Sequence, residues 1–456
     1  MTRRGIARGA VLALAGALLA AGVGYATAAE SDDASSDATA TATAQDPSAR
    51  IARQLNEADD DGLTSDYPPP KVTASGWLVY DAATDEPIAG VEATTPRPIA
   101  SLAKLMTALV AVERIEPDEL VTIPAAVNDL PADASRMDAR AGEKWPAGDL
   151  LRAMLVHSAN DAALALAHHL GDGSEARFVE IMNAKAEELG LDDTSFSSAT
   201  GLDTPGTSST STPVDLVALA REALRDDSIR TAVASEDVTL TRPDGQQLEP
   251  LPNRNPLLGT YDGVDGVKTG FTDAAGYMLL THHLDAKTGG DLLVATFAST
   301  SEKTRISDAR ALLDWARPLR QELRVVEGGV ALGSIPVQRS DARVDLFACD
   351  DLVTSARVGQ RLVQEIVIPR SLAAPISEGD EVGELRIRVG AAPTGGDDDA
   401  GTVADPASVP ICAGESVRAT TRSDRILDYA SDYRLAWRRG VDEVEDTWSS
   451  LTEQAS

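Results

Sequence analysis

The sequence predicts an α+β domain, an antiparallel sheet flanked by helices, followed by a small all-β domain and a C-terminal amphipathic helix. Three observations predict this. Helical and strand-like patterns alternate from 71 to 319 and finish in consecutive strand runs around Val267, Leu279 and Val294. From 320 to 418 the pattern changes to short alternating runs with frequent glycine, such as Leu385-Arg-Ile-Arg-Val389. Beyond 419, Ile426, Ala430, Tyr433, Trp437, Val441, Val444, Trp448 and Leu451 recur at spacings of three and four, the apolar stripe of a helix.

The chain has 456 residues, 43% of them apolar, enough for one large core and a smaller one. With 41 basic residues against 72 acidic, the formal charge is -31. A site that tracks a nucleic-acid backbone would work against this field, so nucleic acid is excluded as a partner.

Residues 1–29 read as a bacterial signal peptide. Arg3, Arg4 and Arg8 precede an Ala/Leu/Val/Gly run that ends in Ala26-Thr-Ala-Ala29. The apolar stretch is short for a spanning helix and small residues mark a cleavage site, although an uncleaved anchor stays open. The chain is therefore expected to be exported, on the extracellular or cell-wall side of a bacterial membrane. Residues 30–70, rich in Ser, Thr, Ala and Asp, are expected to be a disordered acidic linker.

Within 71–319, Gly76-Trp-Leu-Val-Tyr80 and Ile88 flank a turn through Thr84-Asp-Glu-Pro87 and predict a hairpin. Leu102, Leu105, Met106, Leu109 and Val110 follow the helical period, so a helix starts at Ser101. Helices around Leu150–Leu155 and Leu164–Leu170 place His157-Ser158-Ala159-Asn160 on the turn between them. Gly263 to Gly270, Gly276 to Leu280 and Leu292 to Phe297 form strands, and Ile306, Ala309, Leu312 and Leu313 mark a closing helix. Residues 391–408 read as a loop within the β domain. Cys349 and Cys412 are a candidate disulfide pair in an exported chain, or two separate thiols.

The tail from 419 to 456 has two readings. It is either a membrane-surface helix over 425–451 or a helix docked on protein. Five Arg against eight acids over 422–456 oppose attraction to anionic lipid.

The chemistry lies in three short motifs. Ser101-Leu-Ala-Lys104 puts a hydroxyl and an amine on one helix face, the geometry of a nucleophile and its base. Alone, this spacing is also that of a capping serine and a solvated lysine. Ser158-Ala-Asn160 adds a hydroxyl able to relay a proton and an amide able to bond both lysine and substrate. Lys268-Thr269-Gly270 offers a cation, a hydroxyl and open backbone to an anionic substrate end. Their conjunction, each in the structural context its role requires, identifies a serine acyl-enzyme with Ser101 as nucleophile. His157, His168, His169, His282 and His283 lack the spacing of a metal site, so no metal or cofactor is implied.

Over almost the whole exported portion the sequence resembles the serine D-alanyl-D-alanine carboxypeptidases, the low-molecular-mass penicillin-binding proteins. The resemblance rests on the three motifs and on Pro98 to Thr107, His157 to Ala167, Phe178 with Met182-Asn183, Leu189-Gly-Leu191, Thr200-Gly-Leu202, Gly263 to Gly276, Ala374-Pro-Ile376 and Gly379 to Gly383. Two departures are Ala103, where members often have threonine, and Phe271 after Lys-Thr-Gly, which narrows the cleft.

The resemblance implies a penicillin-binding/β-lactamase-like transpeptidase fold and removal of the terminal D-alanine from peptidoglycan stem pentapeptides, with β-lactams as covalent inhibitors. It implies Lys104 as base, Ser158 and Lys268 as proton relay, and Asn160 as the residue holding Lys104 and substrate. The backbone N–H groups of Ser101 and Phe271 would form the oxyanion hole, and Thr269 and Arg305 would hold the terminal carboxylate. Rival functions are a DD-endopeptidase acting on cross-links, a β-lactamase, for which Glu180 and Asn183 lack the Glu-x-x-x-Asn spacing, and a catalytically silent wall-binding protein.

Overall fold

The computed structural model describes residues 47–58, 67–338, 342–358, 360–390, 407–418 and 434–440. They divide between Leu319 and Arg320 into two units. The expected signal peptide, most of the linker, 391–406 of the expected loop and most of the tail lie outside the described residues.

The first unit is built on a five-stranded antiparallel sheet. Its strands are β1 (Gly76–Asp81), β2 (Glu86–Val91), β3 (Val264–Thr272), β4 (Gly276–Asp285) and β5 (Gly290–Ser299), in the order β2-β1-β5-β4-β3. The register pairs Leu280 with both Lys268 and Ala295, which leaves β3 as one edge. Helix α1 (Pro47–Ala58) packs on β2. Between β2 and β3 the chain inserts α2 (Lys104–Val112), α3 (Ala147–Val156), α4 (Asn160–Leu170), α5 (Glu175–Glu188), α6 (Pro213–Ala223) and α7 (Asp227–Ala234). Helix α8 (Glu302–Ala316) returns to lie against β4 and β5.

Local chemistry explains the boundaries. Ser301 and Thr304 form a reciprocal capping box at the start of α8, and Thr212 with Pro213 opens α6, the hydroxyl accepting from the Asp215 amide. Helix α2 is buried from Lys104 through Ala111, so its apolar residues face protein on every side and fix the centre of the core.

Part of the expected linker is ordered as α1, because Ile51 and Leu55, one turn apart, give the segment a single apolar stripe that is fully buried. Arg50 and Arg221 both pair with Asp85 at the β1–β2 turn, which also accepts the Tyr80 hydroxyl, fastening this helix to the hairpin.

The second unit is all-β. Strands β6 (Arg320–Val326) and β9 (Leu352–Arg357) pair with each other. Strands β7 (Ala331–Pro336), β8 (Arg343–Ala348), β10 (Arg361–Pro369), β11 (Glu381–Gly390), β12 (Ala407–Ala413) and β13 (Arg434–Gly440) form an antiparallel sheet in the order β7-β8-β12-β11-β10-β13. Val344, Leu346, Leu385, Ile387, Val409 and Ile411, at alternate positions, make its core. Cys349 and Cys412 are joined by a disulfide, with Cα atoms 5.3 Å apart.

The expected amphipathic helix over 419–456 is not what the described part of the tail forms. Residues 434–440 are a strand, paired from Arg434↔Pro369 to Gly440↔Val363 with the otherwise open edge of β10. The backbone groups of this segment pair with that edge instead of forming helical bonds. The remainder of the tail lies outside the described residues. Among the described residues no helix is long and apolar enough to cross a membrane.

Candidate active site

Ser101 sits in a short 3-10 turn, Ala100–Ala103, that leads into α2. The turn is reached through Ala100, whose φ of 48° is left-handed and costly for a residue with a Cβ. Gly201 supports it. At φ 72° a Cβ there would stand 1.9 Å from the Ala100 carbonyl oxygen, so only glycine lets the two backbones meet.

Lys104 is one turn on and completely buried. Its Nζ lies 2.9 Å from Ser101 Oγ, 2.8 Å from Asn160 Oδ1 and 2.5 Å from the Thr200 carbonyl oxygen. Burial pushes its pKa well below the usual lysine range, the nearby Lys268 charge pushes it further, and Asp161 only partly opposes them. A neutral amine has two N–H groups and one lone pair. The amide oxygen and the carbonyl oxygen can only accept, so they take the two N–H groups and leave the lone pair for the Ser101 hydroxyl.

Asn160 opens α4, directly after the turn on which Ser158 is held at φ 63°. Its Nδ2 donates to the Ser135 carbonyl at 3.0 Å, and its backbone N–H donates to the same oxygen at 2.8 Å. That contact orients the amide oxygen towards Lys104. The neighbouring Asp161 accepts from the Met137 and Ala139 amides, tying the 135–139 loop to the start of α4.

Strand β3 supplies the other wall. A Cβ at Gly270 would lie 3.0 Å from the Ile99 carbonyl oxygen and 3.4 Å from the Ser101 nitrogen, so glycine brings this strand up to the nucleophile. Side chains alternate along a strand, so Lys268 lies on one face of β3 and Thr269 and Phe271 on the other. Lys268 and Thr269 are buried and Phe271 is 48% exposed. Burial, then the charges of Arg254 and Arg305, bring the Lys268 pKa down to about 7. Arg305, in the second turn of α8, is buried, with its guanidinium 5.7 Å from the centre of the Tyr277 ring.

The structure thus brings Ser101, Lys104 and Asn160 into direct contact, sets Gly270 against the nucleophile turn, and buries Ser158, Lys268, Thr269 and Arg305. Four participants escaped sequence reasoning. Thr200 and Ser135 act through backbone carbonyls, which any residue type carries. Gly201 lies in a run singled out only for its likeness to a family. Arg254, bonded to Ser135 Oγ and His157 Nε2, had no motif around it.

The sequence pattern of the D-alanyl-D-alanine carboxypeptidase family matches residues 64–295, just over half the chain. The chain belongs to this family. It is 31% identical to the D-alanyl-D-alanine carboxypeptidase DacD of Escherichia coli, over 70% of this chain and 83% of that protein. To DacF of Bacillus subtilis, another D-alanyl-D-alanine carboxypeptidase, it is 29% identical over 69% and 79% respectively.

Among solved structures, a mutant of the Streptomyces K15 DD-transpeptidase superposes with a TM-score of 0.51 at 32% identity, covering 55% of this chain and all of that one. Penicillin-binding protein 5 of Haemophilus influenzae does so with a TM-score of 0.53 at 25% identity, covering 77% and 99%. The family's serine peptidase chemistry and its fold are therefore those of this chain. Arg305 lies beyond the matched span, on the helix that follows it.

Proposed function

We propose that this carboxypeptidase removes the terminal D-alanine from peptidoglycan stem pentapeptides through an acyl-enzyme on Ser101. The observation that carries the proposal is the buried Lys104 amine, 2.9 Å from Ser101 Oγ, with its other two contacts taken by acceptors. Lys104 takes the serine proton as Oγ attacks the carbonyl of the penultimate D-alanine. The resulting oxyanion is met by the N–H groups of Ser101 and Phe271, each worth roughly 3 kcal/mol in sites of this kind. Ser158 and Lys268 return a proton to the leaving amine, and the near-neutral pKa of Lys268 suits a group that must both hold and give up a proton. Thr269 and Arg305 hold the terminal carboxylate, and water completes the cycle.

A β-lactam presents the same carbonyl in a ring whose leaving amine stays tethered, so it should remain on Ser101. Incubation with a labelled penicillin and mapping by mass spectrometry tests this. An adduct on another residue, or none, would overturn the mechanism. Release of free D-alanine from a pentapeptide, set against cleavage of a cross-linked dimer and transfer to an added amine, tests the activity. The transfer branch is included because a structural relative at 32% identity is a DD-transpeptidase. The Arg-flanked apolar N-terminus and the Cys349–Cys412 disulfide support work outside the cytoplasm, in an oxidising compartment.

A further inference from the structure

Arg305 is poorly anchored for a buried cation. Among the described residues its guanidinium has one ion pair, at 3.4 Å, to Glu302, which is largely exposed, and its Nε has no hydrogen-bond partner. What it does have is an aromatic face. Tyr277 lies beneath it, and Phe271, directly across the β3–β4 pair from Tyr277, stacks on that ring with centroids 4.4 Å apart and planes 35° apart.

The backbone is shaped around this stack. The β4–β5 register slips between Tyr277 and Leu279, and the bulge is accommodated by Ala298 at φ 52° against Gly276 at φ 68°. Bulges of this kind re-aim a side chain. A Cβ at Gly276 would stand 3.1 Å from Ala298 Cα, so glycine is needed for the two strands to close beside Tyr277. Phe271 itself is a large apolar side chain that stands half in solvent beside this ring.

We propose that Tyr277, backed by Phe271, is a positioning residue that holds the Arg305 guanidinium at the carboxylate end of the cleft and so sets the preference for substrates with a free terminal carboxylate. The proposal rests on the reading of Arg305 as the carboxylate clamp. A cation over an aromatic ring is attracted by the ring's quadrupole without being neutralised, so its charge stays available to a substrate anion. A buried carboxylate in the same place would hold the arginine more firmly but would consume the charge it must offer.

The test uses the full chain and two probes, an N-acylated tripeptide ending in D-alanyl-D-alanine and the same peptide as its C-terminal carboxamide. Tyr277→Ala should lower kcat/KM on the free acid by about tenfold, mainly through KM, as expected for loss of a cation–π contact in a desolvated site. The carboxamide should change by less than about twofold, because no carboxylate meets the arginine. Tyr277→Phe, which keeps the ring, should keep the preference, and Phe271→Ala, at an exposed position, should reduce it by about threefold.

Arg305→Leu separates the two levels of the argument. If it leaves the acid-to-amide preference intact, the reading of Arg305 is wrong. If it abolishes the preference while folded Tyr277→Ala and Phe271→Ala keep it, the stack has no positioning role. A Tyr277→Ala chain with an altered thermal unfolding midpoint would pass the decision to Phe271→Ala and Tyr277→Phe.

Discussion

His282 provides a test of how the sheet beneath the active site is held. It lies on β4 with its Nδ1 2.6 Å from Asp265 on β3 and its Nε2 2.9 Å from Asp291 on β5, so one imidazole joins three strands. Burial alone would push its pKa down. The two hydrogen bonds and the two negative charges outweigh burial and hold it up at about 9, against 6.5 for a free histidine. The folded protein therefore binds more protons than the unfolded chain between these values, and stability falls as pH rises.

The contribution is complete below about pH 6.5, declines through the interval and is gone above about pH 9. A shift of that size corresponds to about 3 kcal/mol. Each carboxylate is about a third exposed, so solvent screening makes this an upper value. The assay is urea unfolding of wild type and His282→Gln at pH 6 and pH 9.5, followed by tryptophan fluorescence, to which the buried Trp77 and Trp145 contribute. Wild type should lose up to about 3 kcal/mol more than the variant across the interval. Equal losses in the two proteins would refute the assignment. Asp265 is three residues before Lys268, so this contact also ties the edge strand that carries Lys-Thr-Gly to its neighbour.

Other outcomes follow from particular contacts. Gly201→Ala places a Cβ against the Ala100 carbonyl and forces an unfavourable φ, so it should cost at least about 2 kcal/mol in unfolding experiments and slow penicillin labelling of the molecules that still fold. After burial, Arg254 is the largest influence lowering the Lys268 pKa. Arg254→Gln should therefore move the near-neutral inflection in the pH profile of acylation to higher pH, and an unmoved inflection would argue that Lys268 does not titrate there. Reducing the Cys349–Cys412 bridge, which spans 63 residues, should destabilise the β unit by about 4 kcal/mol in a chain-entropy estimate, while acylation by a β-lactam stays unchanged. A parallel loss of acylation would contradict that separation.

Much of this was legible in the sequence because it is periodic or chemically distinctive. The largely apolar α2, the three strands ending at Ser299 and the Ser-x-x-Lys, Ser-x-Asn and Lys-Thr-Gly motifs each leave a mark in residue type. What stayed hidden depends on backbone groups or on context. No residue pattern reports that the Thr200 and Ser135 carbonyls will converge on Lys104 and Asn160. Helix α1 escaped because two apolar residues, Ile51 and Leu55, are a faint signal inside a polar stretch, and their burial comes from a hairpin that follows them in the chain. The tail misled because the spacing of its apolar residues carries no sign of an open sheet edge elsewhere in the chain. Pairing at the edge of β10, a long-range event, selected the strand.

The contact between Gly201 and Ala100 reaches beyond geometry. On the proposed mechanism, Ser101 owes its reactivity to segments that are far apart along the chain: the turn at 100, the loop at 135, the start of α4 and the backbone at 200. A chain in which these have not met carries an unexceptional alcohol beside an ordinary protonated lysine. Acylation is thus a property of completed molecules, and covalent labelling counts the native fraction of a preparation while misfolded or half-assembled copies stay silent. The same feature leaves a newly made chain chemically inert until its last contacts close.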